Sequence, residues 1–276
     1  MPELDDVSYS FDECVTAIRD YYTFLTKMYM DESEVLEPPE QGWPSIVNAR
    51  PKILEEFGKN AEVLRLLSHL PYVQIPADGT EAQSLPNGKF TDWNTLFAWV
   101  ENGLVDIEGL KSATEGDFHD FKVSHAVGLS FVDDIYTTLI LDTQLGIIHY
   151  GACPGKIRHS PSQEPISDDF YDYADEEDEP AWREAEWCAD APAWTIPAFF
   201  ELLKDQFRQL NFVPLGRRTV VDVFTTWPDD KAGLIPMVQD IYRQHGWPDL
   251  NRYNKDECIP AVQKALREKY PNEPCT

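Results

Sequence analysis

The stretch from Glu164 to Asp190 constrains this chain most. Eight of the twelve residues from Asp168 to Glu179 are Asp or Glu, and Phe170, Tyr171, Tyr173, Trp182 and Trp187 are threaded through or just beyond them. Such a density of like charge has to stay solvated at the surface and resists packing into a core. The rings give the segment something to dock with, on its own domain or on a partner. Three readings follow for this insertion of about residues 160–192. It is a loop pinned at a few points by its rings, an arm that orders against a basic surface, or a lid with Trp182, Trp187 and Trp194 at the mouth of a pocket.

The remaining composition bounds the function. The formal charge of −26 comes from 49 acids against 23 bases. Phosphate neutralisation needs clustered Lys and Arg, so the balance argues against a nucleic-acid partner, and equally against adhesion to an anionic leaflet. It suits a basic protein partner, or simple solubility. No run approaches the roughly 20 apolar residues of a membrane span. The first residues, MPELDDVSYSFDE, lack the basic-then-apolar pattern of a signal peptide. Cys14, Cys153, Cys188, Cys258 and Cys275 are odd in number and show no CxxC spacing, which points to a reducing cytoplasmic or nuclear setting.

Periodicity supplies the elements. Ser10 with Glu13 forms a capping box, and Phe11, Val15, Ile18, Tyr22, Leu25 and Met28 follow at helical steps to about Met30. Pro51 starts a short helix that Gly58 ends, and Asn60 caps another through Leu67. Residues 90–123 give no clear assignment. Val127 to Leu129, Tyr136 to Leu141 and Ile147 to Tyr150 are β-rich, with residues 142–146 as a hairpin loop, and form the middle of an antiparallel sheet. Thr195 is positioned to cap a helix carrying Phe199, Phe200, Leu203, Phe207 and Leu210. A strand from Val220 to Thr225 and helices from Leu234 to His245 and from about Asp256 to Tyr270 complete the chain, with Pro260 placing the last helix start nearby.

Three of these pieces, in this order, resemble the SUKH superfamily of Smi/Knr-type domains. They are the helical lead-in ending in Leu70-Pro71-Tyr72, the strand pair of residues 137–150 that turns at Leu141-Asp142 and Gly146, and the helix opening Trp194-Thr195-Ile196-Pro197-Ala198-Phe199-Phe200. The resemblance covers about residues 10–212 and extends to fungal proteins of similar length. It implies an α+β fold: a curved, mainly antiparallel sheet with helices packed on one side. Members mostly bind proteins, some as toxin-neutralising immunity proteins and some in fungal cell-wall signalling, and the family supplies no catalytic residues. The acidic insertion and a C-terminal β–α–α extension from about residue 213 depart from its pattern. With no neutral linker, residues 1–276 read as a single SUKH-like domain.

Candidate chemistry is sparse. His149, Cys153 and His159 make an H-x3-C-x5-H cluster whose spacing matches no standard zinc module, so no metal is expected. A thiol at Cys153 would need His149 or His159 beside it to react. Asp133-Asp134 read as a solvated turn or as paired acids for acid–base work. His119 and His125, flanking Asp120 and Lys122, are conceivable bases. Arg158 and Arg217-Arg218 could hold an anion, or answer nearby acids. No nucleophile elbow, phosphate loop or dinucleotide fingerprint is present, and no cofactor is expected.

The leading reading is a non-catalytic, regulatory or immunity-like module that binds a basic protein through Asp168, Asp169, Tyr171, Tyr173, Glu176, Glu177, Trp182 and Trp187. Charge would set the on-rate, so that salt slows association, and the rings would hold. The rival is a cofactor-free isomerase, cyclase or lyase acting on a small molecule in an aromatic-lined pocket, with His149, Asp142, Arg158 and His159 as its working residues. A pocket where polar groups converge would favour the rival.

Overall fold

The computed structural model describes residues 1–76, 81–131, 137–175, 177–225, 228 and 231–271. The Asp133-Asp134 pair, Glu176, the Tyr173 side chain and Cys275 lie outside the described set. The α+β class expected from the sequence holds.

The Ser10 hydroxyl accepts the Glu13 amide at 3.4 Å and opens α1 (Phe11–Met28), which buries Val15, Ile18, Tyr22, Leu25 and Met28 on one stripe. β1 (Val35–Leu36), α2 (Pro44–Val47) and α3 (Pro51–Phe57) follow. Gly58 ends α3 at φ 70°, a conformation that suits glycine. Asn60 accepts the Val63 amide at 2.9 Å and caps α4 (Ala61–His69), which leads into β2 (Tyr72–Val73), paired with β1.

The stretch without a clear assignment is largely helical. After β3 (Lys89–Phe90), Asp92 accepts the Thr95 amide at 3.0 Å and caps α5 (Trp93–Glu101). Asp106 accepts the Gly109 amide at 2.7 Å and caps α6 (Ile107–Glu115), which runs into a 3-10 turn, Gly116–Phe121.

The sheet comes next, with β4 (Ala126–Gly128), β5 (Ser130–Phe131), β6 (Leu139–Asp142) and β7 (Ile147–Tyr150). After α7 (Gly155–His159) and α8 (Glu179–Asp190), β8 (Ala193–Thr195) adds the last strand. The order is β4-β6-β7-β8, antiparallel throughout, and β5 pairs separately with β3. β6 and β7 are thus central, as the sequence indicates. The hairpin between them is tied by Asp142, whose Oδ1 accepts the Gln144 and Leu145 amides at 2.7 and 2.8 Å. Gly128 lets α6 cross β4 closely, since a Cβ there would sit 2.1 Å from the Thr114 carbonyl oxygen.

Side chains alternate across this sheet. Leu139, Leu141, Ile148, Tyr150 and Trp194 join the main core under α1 and α9 (Ile196–Arg208). Phe199, Phe200, Leu203 and Phe207 of α9 are fully buried there, each contributing about 1.5–3 kcal/mol relative to exposure. Pro197 lies in the first turn of α9, but the Thr195 side chain makes no capping bond. The second face is also covered. Ile140 and Ala126 pack with Phe118, Val123, Cys188 and Trp187, and Ile147 and Ala193 pack with Leu4 and Phe170. α8, from the acidic tract, therefore roofs the face opposite α1 and α9.

The C-terminal extension follows the expected order. β9 (Phe212–Pro214) and β10 (Val220–Asp222) pair, and α10 (Leu234–Gln244) and α11 (Lys255–Lys269) follow, with Pro260 inside the last helix. Trp247 Nε1 donates to the Phe207 carbonyl at 3.0 Å and Tyr253 to the Met28 carbonyl at 2.6 Å, which ties the extension to α9 and α1. Arg218 pairs with Glu34 at 2.7 Å, and Arg217 lies near Asp31 and Asp256, so this basic pair answers local acids. No helix among the described residues is long and apolar enough to cross a membrane.

Candidate functional site

The acidic tract folds because its ends are capped and its rings have places to go. The Asp178 carboxylate reaches the Ala181 amide at 3.5 Å, Pro180 sits in the first turn, and Glu179 adds negative charge at the positive end of the α8 dipole. Arg158 Nη1 donates to the Asp190 carbonyl at 2.9 Å and places a cation at the other end. Trp187 packs on Phe118 (4.7 Å between centroids) and on His149 (5.7 Å), and Phe170 meets His149 at 5.0 Å. Tyr171 packs on Trp182 at 4.8 Å. Asp168 accepts the Leu4 amide, and Asp169 accepts the Tyr171 amide at 3.0 Å. Most of these rings are therefore committed within the molecule, while Glu177, just before α8, and Glu179, Glu186 and Asp190 on it stay exposed. Trp194 is not at a mouth. It is fully buried, with Nε1 donating to the Gln163 carbonyl.

Beneath α8 lies a cavity of about 270 Å³ whose lining includes His125, Asp142, His149, Glu184 and Cys188. The alternation of β6 and β7 puts Asp142 and His149 on this face. His149 is 2 % exposed, and its Nδ1 lies 3.3 Å from the Ala191 carbonyl. A carbonyl only accepts, so Nδ1 carries the proton and Nε2 the lone pair. Burial pushes the His149 pKa down, keeping the ring neutral. The Asp142 carboxylate is occupied by two backbone amides and by His125 Nε2 at 3.3 Å. The His125 pKa is raised by that hydrogen bond, and burial raises the Glu184 pKa. Burial also pushes the Cys188 thiol up. The cavity holds histidines and carboxyls, but Asp142 orients the hairpin and His125 and is not left free to act as a base.

The other two residues of that constellation sit elsewhere. Arg158 and His159 are exposed on α7, and neither lines the cavity. Cys153 packs against the core on the α1–α9 side, whereas His149 faces α8, so the H-x3-C-x5-H cluster is divided by the sheet. Burial pushes the Cys153 thiol up to about 12, against reactivity. His119 Nδ1 bonds the Gly116 carbonyl at 2.7 Å, and its Nε2 faces Asp120 at 3.4 Å. Among the described residues no group of three or more His, Cys, Asp or Glu is placed to hold a metal ion.

On the outer side of α8 an open cleft of about 550 Å³ runs between that helix and the 3-10 turn Gly116–Phe121. Asp117, Asp120, Glu186 and Asp190 line it, Arg183 is the basic residue in the lining, and Phe121 and Trp187 supply ring surface. Carboxylates around aromatic faces suit an ammonium or guanidinium group, which gains both ion pairing and cation–π attraction. Of the expected partner-binding residues that are described, Trp187 alone lines this cleft. Asp117, Asp120, Glu186 and Asp190 were missed. The signal was available in part: Arg183, Glu186, Trp187 and Asp190 are spaced to share one helix face. The turn that brings Asp117 and Asp120 opposite them was not legible.

No family model matches the chain, no curated protein matches it, and no solved structure matches it.

Proposed function

We propose that this protein is a non-catalytic binding module for basic, Lys- or Arg-bearing protein segments, docked in the cleft between α8 and the 3-10 turn. The observation that carries the reading is the convergence of Asp117, Asp120, Glu186 and Asp190 around Phe121 and Trp187. The net charge of −26 would draw a cationic segment from a distance, and the cleft would hold one or two of its side chains. A protein-binding role, regulatory or protective, is also what the SUKH resemblance implies. On this reading the rings of the tract seat α8, as in the first of the three alternatives for the insertion, and α8 presents the acids.

A lysine-rich peptide and its Lys→Gln counterpart, titrated by calorimetry, test this. The lysine form binds, the glutamine form does not, and raising salt from about 0.05 to about 0.3 M weakens binding at least tenfold, chiefly through a slower on-rate. The fourfold variant Asp117→Asn, Asp120→Asn, Glu186→Gln, Asp190→Asn loses binding. A control that removes equal charge elsewhere (Glu55→Gln, Glu56→Gln, Asp240→Asn, Glu268→Gln) retains most of it. Equal loss in both variants would show that net charge alone attracts the peptide and that the cleft is not a site.

A further inference from the structure

A second cavity, remote from α8, carries uncommitted polar groups. It has a volume of about 230 Å³ and lies beside β3 and the start of α5, with Phe90, Leu96, Trp99 and Phe131 as apolar walls. Thr91 and Glu81 also line it. Thr91 is 4 % exposed, and its Oγ1 is buried without a hydrogen-bond partner. Folded proteins seldom leave a buried hydroxyl unpaired, and each exception needs a reason. The Glu81 side chain is 7 % exposed. Among the described residues only Lys89 Nζ approaches its carboxyl, at 4.0 Å, beyond hydrogen-bond length. Asp92 is different, because its oxygens accept the Thr95 amide at 3.0 Å and the Thr95 hydroxyl at 2.6 Å. Two groups are therefore left over in an apolar enclosure, a carboxyl and a hydroxyl.

Their chemistry selects the occupant. Both can accept hydrogen bonds, and once Glu81 has given up its proton the two acids outnumber Lys89, the base of the described lining. An anion would be repelled. A group with several N–H donors and a positive charge satisfies Glu81 and Thr91 together, and the rings of Phe90, Trp99 and Phe131 favour a cation with an apolar body. A cavity of about 150 Å³ already holds benzene, so this one has room for a ring and a short chain. We infer that this cavity binds a small primary ammonium ion with an apolar or aromatic body, with Glu81 as its counter-charge and Thr91 as a second acceptor. Burial pushes the empty-site Glu81 carboxyl up to about 8, with Asp92 and Glu34 adding to the rise and Lys89 opposing it. Tyr22, whose own pKa is raised by burial and further by Glu81 and Asp92, is another titratable neighbour. An arriving ammonium draws the proton off Glu81, and it passes to buffer.

The probes are phenethylamine and 3-phenylpropionate, of similar size and opposite charge, titrated into the full chain at pH 7 in two buffers of different ionisation enthalpy. Phenethylamine binds at least tenfold tighter than the acid, perturbs the Trp99 indole signal and releases protons. Glu81→Gln weakens the amine at least tenfold and abolishes the proton release, and Thr91→Val weakens it severalfold. Equal binding of the two probes, no binding of the amine at millimolar concentration, or full affinity in a folded Glu81→Gln protein would each overturn the inference. These outcomes are independent of the α8 cleft.

Discussion

Replacing Glu81 by Gln tests the burial of this carboxyl through stability alone. The unfolded chain releases the Glu81 proton near the ordinary value of 4.5, whereas burial in the folded protein holds it to about 8. The folded state therefore binds this proton more tightly than the unfolded state. The contribution to stability is greatest below pH 4.5 and is eroded as pH rises towards 8, above which it is constant. Over this window the slope approaches about 1.36 kcal/mol per pH unit. Integrated from about pH 5.5 to about pH 7.5, the wild type loses about 2.5 kcal/mol through this one group. Gln cannot titrate, and any cost of its own unpaired amide, about 1–3 kcal/mol, is the same at both pH values. Urea denaturation of the two proteins at the two pH values, without added amine, gives four free energies. Their double difference cancels every other titrating group that does not touch Glu81. The expected result is that Glu81→Gln gains about 2.5 kcal/mol on the wild type as pH rises. Stabilities that run parallel within about 0.5 kcal/mol would refute the reasoning, because Glu81 would then titrate alike folded and unfolded.

Two further outcomes follow from buried charge and from α8. Lys59 and Glu115 pair at 2.8 Å with side chains 3 % and 2 % exposed, and Lys59 also donates to the Val123 carbonyl; Glu115→Ala strands the ammonium and costs about 3–5 kcal/mol by chemical denaturation, with Lys59→Met restoring much of the loss. Salt should act with opposite sign on folding and on binding at α8: going from about 0.05 to about 0.5 M slows amide exchange in residues 179–190, by screening their mutual repulsion, while it weakens the lysine peptide, and exchange that instead quickens would show that attraction rather than ring packing holds the helix down.

How much of this was legible depended on whether a signal was local. α1, α3 and α4 carry both a terminal signal and a clear apolar stripe, so Ser10, Pro51, Gly58 and Asn60 located them in the sequence. α5 did not declare itself because Ala98 and Trp99 fill the gap between the buried Leu96, Phe97 and Val100, and the continuous apolar run of residues 96–100 reads equally as a strand. Its one local cue, Asp92 three residues before Thr95, is a capping position that the sequence reading passed over. The hairpin register put Asp142 and His149 on one face, as alternation requires. Arg158 and His159 fell away because a turn carries the chain off β7 into α7, where both are exposed. That Glu81 is enclosed could not be read at all, since the cavity it lines is walled by Leu96 and Trp99 of α5 and by Phe131, which only the fold brings to it.

The orientation of the rings decides what kind of binding α8 can support. Had Phe170 and Trp187 faced outward, the tract would have offered a partner large apolar anchors, the usual source of slow dissociation. Instead they enclose His149, and their contact energy goes into holding a strongly anionic helix against its own sheet. What remains outside is mostly carboxylate, with ring surface of Trp187 and Phe121 between. Exposed charges of that kind raise encounter rates more than they lengthen residence. On the reading proposed above, the same geometry that anchors α8 would make the complex fast, salt-sensitive and short-lived, and a tightly held basic partner would have to gain its affinity from surfaces other than this cleft.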